Sequence, residues 1–357
     1  PIFGTALALA CTPALATSLF PESERTKALA GFASAMALAA AIGPFLGGVL
    51  VEIWGWPAVY WVRVPIALVT LALTGLLPSP KPDARPFDAL GAVLLAACMS
   101  TLLLSLVLSQ RREIVGMWAF GLLAIALILL VLYVRHANRV LEPIIRPALF
   151  ADARFAVPNV LNMLANLAGF SILLLTPYYL TNVLKLTPVG SGIVLAMAFA
   201  GSLMGAPLSA FLVRRIGQRP TVFAGVASVG LGLLPLGFTG IDTPVLLVAS
   251  LLVLEGIGQG LLTVAYTDIV TATLPPRDRG VAGSLSLLTR TLGIVGGASV
   301  LTALQARGAE GFAGMAGFLA GYRFAFVVAG GGLLVALLLS CLWPRVWSNR
   351  DDAPRAR

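Results

Sequence analysis

The sequence predicts an all-α, polytopic transmembrane helical bundle, and three observations carry that prediction. Eleven long apolar stretches run almost end to end through the 357 residues. Hydrophobic residues make up 59% of the chain and charged residues 11%, with a mean hydropathy of +0.95. The basic residues between the stretches fall overwhelmingly on one set of alternate loops. About 20 mainly apolar residues cross a bilayer core, and a helix satisfies backbone groups internally where lipid offers no partner. A soluble chain of this length needs far more charge to cover its outside.

The spans fall at roughly 1–19, 28–51, 57–77, 88–109, 116–135, 156–180, 189–213, 220–239, 244–271, 280–305 and 321–343. Pro1 already lies in an apolar run, with no initiator Met, basic n-region or cleavage site before it. The chain therefore reads as part of a longer one, with an odd number of further spans upstream if the N-terminus is cytoplasmic. In span 28–51, Gly31, Ala35, Ala39, Gly43 and Gly47 follow at i, i+4, so one helix face is nearly free of side chains and another helix can approach it closely. Pro44 interrupts that face and introduces a kink or hinge. Arg63, in span 57–77, lies near enough to an interface to snorkel. Spans 88–109 and 116–135 have no evident counterpart and read as an inserted hairpin. Gly201, Gly205 and Ser209 give span 189–213 its own small i, i+4 face.

Orientation follows from the loops, since translocated loops tend to exclude positive charge. With the loop after the first span taken as cytoplasmic, 17 of the 24 Lys and Arg lie inside. Only Arg111, Arg112, Lys185 and Arg307 lie outside, and Arg63, Arg290 and Arg323 fall within spans. The C-terminus is expected in the cytoplasm, in a multi-pass protein of the inner (plasma) membrane. Basic inner loops facing anionic headgroups account for the net charge of +9 without nucleic acid.

Repetition adds organisation. Pro21, Arg25, Ala28 and Gly43 recur at a constant offset of 254 as Pro275, Arg279, Ala282 and Gly297, the pattern of duplicated helical bundles. The expected division is 1–77 for part of an N-terminal bundle, 78–155 for the hairpin and a cytoplasmic linker, 156–343 for a C-terminal bundle and 344–357 for a cytoplasmic tail.

Ionisable groups inside spans are the default functional candidates, because an unpaired charge there is expensive. Glu255 lies near the middle of span 244–271, and Gln259, Thr263 and Tyr266 continue its face as a polar stripe suited to a cavity. A carboxyl whose surroundings alternate between wet and dry can take up and release a proton; a structural hydrogen bond to a neighbouring helix is the alternative. Asp268 lies toward the inner end, where an interfacial place competes with a functional one. Arg290 needs a partner or water at mid-depth: a carboxylate, a bound anion or helix carbonyls. Asn162 and Asn166, spaced i, i+4, either contact a ligand or bridge helices. Tyr178 and Tyr179 fit an outer aromatic belt.

These residues resemble the major facilitator superfamily, in particular its fourteen-span drug:proton antiporter branch. Gly43, Pro44, Gly47 and Gly48 are similar to the antiporter motif of that family's fifth span, and Pro21 to Ala28 to the basic loop before it. Trp56 through Val64, Pro65 and Ile66 resembles the start of the sixth span. Pro177 to Leu180 through Pro188, Gly190 and Gly192 resembles the seam between the first two helices of the C-terminal half. Gly256 to Gly260, Ala282-Gly283 and Arg290 to Gly297 resemble the tenth and eleventh core spans. The likeness covers essentially the whole chain and implies that three spans precede those seen here. Pro57 and Arg63 stand where the family usually has Arg and Asn, and Arg214, in the loop 214–219, stands where an Asp is common.

The resemblance implies a major-facilitator-like secondary transporter that moves drugs or small amphipathic molecules against protons by alternating access. The small faces of spans 28–51 and 189–213 are expected to slide against each other. The expected partners are a small-molecule substrate, protons and the bilayer, with any accessory protein unknown. No cofactor or metal is implied, and no enzyme signature competes: His136 is the single histidine, no phosphate-cradling loop is present, and Cys11, Cys98 and Cys341 lack metal-ligand spacing. A membrane-embedded enzyme acting on a lipid, or a non-transporting receptor or scaffold, are the alternatives on the same helices.

Overall fold

Each predicted span from 28 onward becomes a helix, with ends set by local chemistry. The computed structural model describes residues 15, 20–21, 24–55, 57–76, 88–108, 115–140, 143–145, 147–273 and 279–347; at 25, 37, 40–41, 43–49, 51–52, 59, 76, 107, 115–117, 188, 279–284 and 345 only the helical backbone is described. Apart from Leu15, the predicted span 1–19 lies outside these residues, as does the tail from 348 onward.

Span 28–51 is α1 (Arg25–Trp54), and the predicted 57–77 is split into α2 (Ala58–Trp61) and α3 (Arg63–Leu73). Pro65 explains the split, because it has no N–H to donate to the carbonyl of Trp61. The helices α4 (Ala89–Leu108) and α5 (Val115–Ala137) follow, then α6 (Ala153–Tyr178), α7 (Pro188–Ile216), α8 (Gln218–Leu236), α9 (Val245–Thr273), α10 (Arg279–Gly308) and α11 (Gly314–Ser340). These eight, α4 to α11, are long and apolar enough to cross a membrane. A short α12 (Pro344–Trp347), not predicted, closes the described chain.

Asp152 caps α6 by accepting from the Arg154 N–H at 2.8 Å, and Thr187 caps α7 by accepting from the Gly190 N–H at 3.1 Å, with Pro188 as the first helical residue. Gly217 joins α7 to α8 at φ +94°, a conformation L side chains rarely adopt.

Within the C-terminal half, α9 is the central helix. It packs along both α7 and α8, while α6 pairs with α10 and α8 with α11. Glycine makes the approach to α9 possible. A Cβ added at Gly258 would sit 2.6 Å from the Val229 nitrogen, and one at Gly260 would sit 2.8 Å from the Ala206 nitrogen, both inside the closest distance a real Cβ tolerates. Gly201, Gly205 and Gly256 leave equally little room between α7 and α9. Valines fill the facing surface of α8: Val222, Val226 and Val229 are fully buried.

This packing corrects the expectation for span 189–213. Among the described residues, its face of Gly201, Gly205 and Ser209 meets α9 and not α1. The two glycines pack on the α9 backbone at Val253 and Ile257, and Ser209 donates to the carbonyl of Leu261 at 3.1 Å. The neighbouring stripe meets α1 instead: Ala206 and Ala210 of α7, with Val264 of α9, cluster with Leu29, Ala30 and Ala33. Periodicity alone does not say which of two adjacent small faces is turned inward.

The repeat arginines Arg25 and Arg279 both lie in long helices, α1 and α10. Helices α4 and α5 pair through Cys98, whose thiol lies 3.3 Å from the Ala126 carbonyl, and Ser105, which donates to the Ala119 carbonyl at 2.8 Å. At their base Asp88 Oδ1 lies 2.8 Å from His136 Nε2. Of the two tyrosines assigned to an aromatic belt, Tyr178 is exposed but Tyr179 is fully buried, stacked on Tyr322 with ring centroids 4.9 Å apart. Its hydroxyl donates to the Gly240 carbonyl at 2.8 Å. Arg63 is exposed and lies over the Tyr60 ring at 5.5 Å.

The glycine packing gives a direct test. Gly256→Val places a branched side chain against the Ala198 carbonyl and is expected to destabilise the purified protein by about 1–3 kcal/mol. Gly332→Ala, with no atom within 4 Å of the added carbon, is expected to leave the melting temperature unchanged or raise it, because helical glycine is about 0.5–1 kcal/mol worse than alanine. Equal melting of the two variants would contradict close packing at Gly256.

Candidate functional site

The polar stripe of α9 faces a cavity of about 470 Å³. Glu255, Gln259, Thr263 and Tyr266 all line it, as the i, i+4 spacing predicts. Across from them stand Asn162 and Asn166 of α6 and Arg290 of α10. Phe32, Ala33 and Met36 of α1 form a further wall, so the cavity lies between α1 and the C-terminal helices. Phe170, Leu195 and Phe199 are among the apolar and aromatic side chains between the polar groups.

Glu255 is 4% exposed. Its carboxyl and the Gln259 amide occupy the space that Gly169 leaves free on α6: a Cβ there would sit 3.0 Å from Glu255 Oε1 and 2.5 Å from Gln259 Nε2. Gln259 Nε2 also reaches the Ala165 carbonyl at 3.4 Å. One to two turns away a hydrogen-bonded cluster ties three helices together. The Tyr266 hydroxyl donates to Asn159 Oδ1 at 2.8 Å and lies 3.0 Å from Thr289 Oγ1, while Asn162 Nδ2 donates to Thr289 Oγ1 at 3.1 Å. Asn166 donates back to the Asn162 carbonyl at 2.8 Å. Asn162 thus bridges α6 to α10, whereas the bonds of Asn166 stay within α6, and both asparagines border the cavity.

Arg290 differs from its neighbours. Its side chain lines the cavity but makes no hydrogen bond or ion pair with any described residue. No salt bridge joins it to Glu255, so these two ionisable side chains of the described wall lie more than 4.0 Å apart.

Asp268 is not part of this wall. It is 1% exposed near the end of α9, and its Oδ2 accepts from Gln218 Nε2 at 2.7 Å and from Thr26 Oγ1 at 3.0 Å. A carboxylate of α9 is thereby shared between Gln218, the first residue of α8, and Thr26 at the start of α1; the predicted loop 214–219 shrinks to Gly217, because α7 runs on to Ile216. Beside Gln218 in α8, Arg219 is 6% exposed and donates to the carbonyls of Arg154 at 3.0 Å and Val346 at 2.9 Å, joining the starts of α6 and α8 to α12. Arg214 turns back to the Ala210 carbonyl at 3.2 Å. Gly43, Pro44, Gly47 and Gly48 lie within α1, but what their faces meet lies outside the described residues.

Sequence reasoning missed Asn159, Thr289, Gln218 and Thr26. Asn159 was within reach of it, since 159, 162 and 166 share one helix face. Thr289 and Thr26 carry no local signal, because threonine hydroxyls commonly satisfy themselves on their own helix.

The Major Facilitator Superfamily profile matches residues 2–298 and again 159–356, and so spans nearly the whole chain. The chain belongs to this superfamily. It is accordingly a transporter-family protein, not an enzyme. Among curated relatives it is 28% identical over 291 residues to the tetracenomycin C resistance and export protein of Streptomyces glaucescens, covering 80% of this chain and 54% of that one. It is 28% identical over 306 residues to the multidrug resistance protein Stp of Mycobacterium tuberculosis, covering 85% and 57%. The riboflavin transporter RibZ of Clostridioides difficile is 24% identical over 307 residues, covering 85% and 66%. The superfamily chain thus spans between 54% and 66% of the length of these relatives. Its fold is like that of the human organic anion transporter MFSD10, with a TM-score of 0.61 at 16% identity, covering 93% of this chain and 67% of that one.

The shared Asp268 carboxylate predicts coupled energetics. Asp268→Ala leaves the Gln218 amide and the Thr26 hydroxyl without their acceptor and is expected to lower stability by about 1–3 kcal/mol, with Asp268→Asn milder because its carbonyl still accepts. Thr26→Val is expected to destabilise the wild type but add little to Asp268→Ala, a coupling that thermal melting of the four proteins measures. Simple additivity would show that the Thr26 contact contributes nothing.

Proposed function

We propose that this superfamily member is a proton-coupled exporter of drugs or small amphipathic molecules, of the fourteen-span antiporter branch, working by alternating access. The observation that carries the reading is the cavity itself. Apolar and aromatic walls enclose one carboxyl and one guanidinium, and the wall is shared between α1 and the C-terminal helices, which is where a substrate must sit if two bundles rock around it. The Streptomyces relative is named for resistance and export and the Mycobacterium relative for multidrug resistance, and that likeness supports the direction assigned here.

In this mechanism Glu255 carries the proton. Buried against Gly169 it is dry; opening of the cavity toward either side wets it, and the change in surroundings exchanges its proton. The excess of Lys and Arg on one set of alternate loops supports a cytoplasmic C-terminus in the plasma membrane. The inner contact of Thr26 with Asp268 breaks as α1 moves away from α9, while the alanine stripes of α1 and α7 slide at the bundle seam.

In proteoliposomes of the full-length protein, Glu255→Gln keeps size and hydrogen bonding but removes titration. The expected result is that pH-gradient-driven flux of amphipathic dyes falls to background while exchange of dye against preloaded dye persists. Undiminished gradient-driven flux would return Glu255 to a structural role. For the moving seam, Gly43→Leu is expected to abolish efflux while the protein stays in the membrane, because a leucine pushes the facing helix away. Normal efflux by that variant in whole cells would exclude close contact at Gly43 during transport, and loss of the membrane protein itself would point to static packing.

A further inference from the structure

The described cavity wall holds two ionisable groups of opposite sign that do not touch. Glu255 meets α6 at Gly169. On α10, the residue next to Arg290, Thr289, bonds Asn162, and Gly293 packs on Met163 and Asn166. Arg290 therefore enters the cavity at the level of Asn162 and Met163. Glu255 lies near Gly169, roughly 9 Å further along α6 at 1.5 Å per residue. The long arginine side chain shortens that gap without closing it to a salt bridge. Arg290 is exposed into the cavity, so its guanidinium keeps water around it and stays open to an entering anion, while Glu255 is buried.

We propose that the unpaired guanidinium and the separate carboxyl form the two ends of a recognition site for amphipathic zwitterions. The ligand's carboxylate lies on Arg290, its ammonium on Glu255 beside Gln259, and its aromatic body against Phe170 and Phe199. This rests on the reading of the cavity as the substrate site. A purely cationic ligand leaves Arg290 unpaired beside a second positive charge. A purely anionic ligand places its charge near an ionised Glu255. A zwitterion of several ångströms' charge separation satisfies both at once. Its ammonium also occupies the carboxyl that the proton uses, which is the mutual exclusion that antiport requires, with Arg290 and Tyr266 the other titratable groups on the described wall.

Four probes of one shape test this: Nα-(2-naphthoyl)lysine, whose flexible arm separates ammonium from carboxylate, its carboxamide as the cation alone, its Nε-acetyl derivative as the anion alone, and the doubly blocked neutral compound. Binding to the purified full-length protein is measured by titration calorimetry. The wild type is expected to bind the zwitterion about tenfold more tightly than either singly charged probe, the gain that one charge-assisted hydrogen bond supports. Arg290→Gln should erase the advantage conferred by the carboxylate alone, and Glu255→Gln that conferred by the ammonium alone, with Arg290→Lys restoring part of the first. Wild-type affinities within threefold of one another would overturn the proposal even if neither variant folds. So would variants that weaken all four probes equally. Charge discrimination without gradient-driven flux would sink proton coupling and leave the zwitterion site standing, whereas flux without discrimination would do the reverse.

Discussion

Close backbone contact along α9 is the constraint on which the rest of the molecule depends. Gly256 and Gly260 open its flank to α7, Gly258 opens it to α8, and Gly201, Gly205 and Gly225 answer from the other side. In a bilayer the apolar effect gives helices little reason to prefer each other over lipid, so the contact must come from dispersion between surfaces that fit. A side chain at any of these glycines separates the helices. With α9 clamped on two flanks, its remaining face, the one that carries Glu255, Gln259 and Tyr266, is held toward α6 and α10.

That placement explains why the polar groups are tolerated. Tyr266, Asn159, Asn162 and Thr289 satisfy one another across three helices, so burying them sacrifices little hydrogen bonding, and the network fixes the distance between α6, α9 and α10. Glu255 and Gln259 fit only because Gly169 has no side chain. The cavity is thus a consequence of satisfied neighbours: it is where the network ends and Arg290 begins. Asp268 performs a different task, joining the start of α8 to the start of α1 at the end of the helix away from Glu255.

Much of the site was legible in the chain because helical spacing is a local property. The stripe from Glu255 to Tyr266 needed only a helix to lie on one face, and the same rule placed Asn162 beside Asn166. Arg290 stood out because no apolar span tolerates a guanidinium without a reason. The misses share a cause. The face of Gly201, Gly205 and Ser209 was assigned to the wrong partner, since two adjacent small faces of one helix look alike in sequence. Tyr179 was placed at an interface because an aromatic near a span end reads the same whether it faces headgroups or another tyrosine. The bond from Thr26 to Asp268 joins residues 242 positions apart, and nothing local marks either as the other's partner.

The sequence by itself determined where the helices lie from residue 28 onward, which of their faces carry polar groups and on which loops the basic charge collects. Each of these follows from hydropathy and the 3.6-residue turn, and neither requires knowledge of a neighbour. Only the tertiary structure decided that α7 turns its glycines to α9 and its alanines to α1, that Asp268 closes the basic end and not the cavity, and that Arg290 and Glu255 share a cavity without pairing. Those outcomes depend on how helix surfaces interlock. A glycine encodes proximity by what it lacks, and an absent side chain does not name the helix that will fill its place.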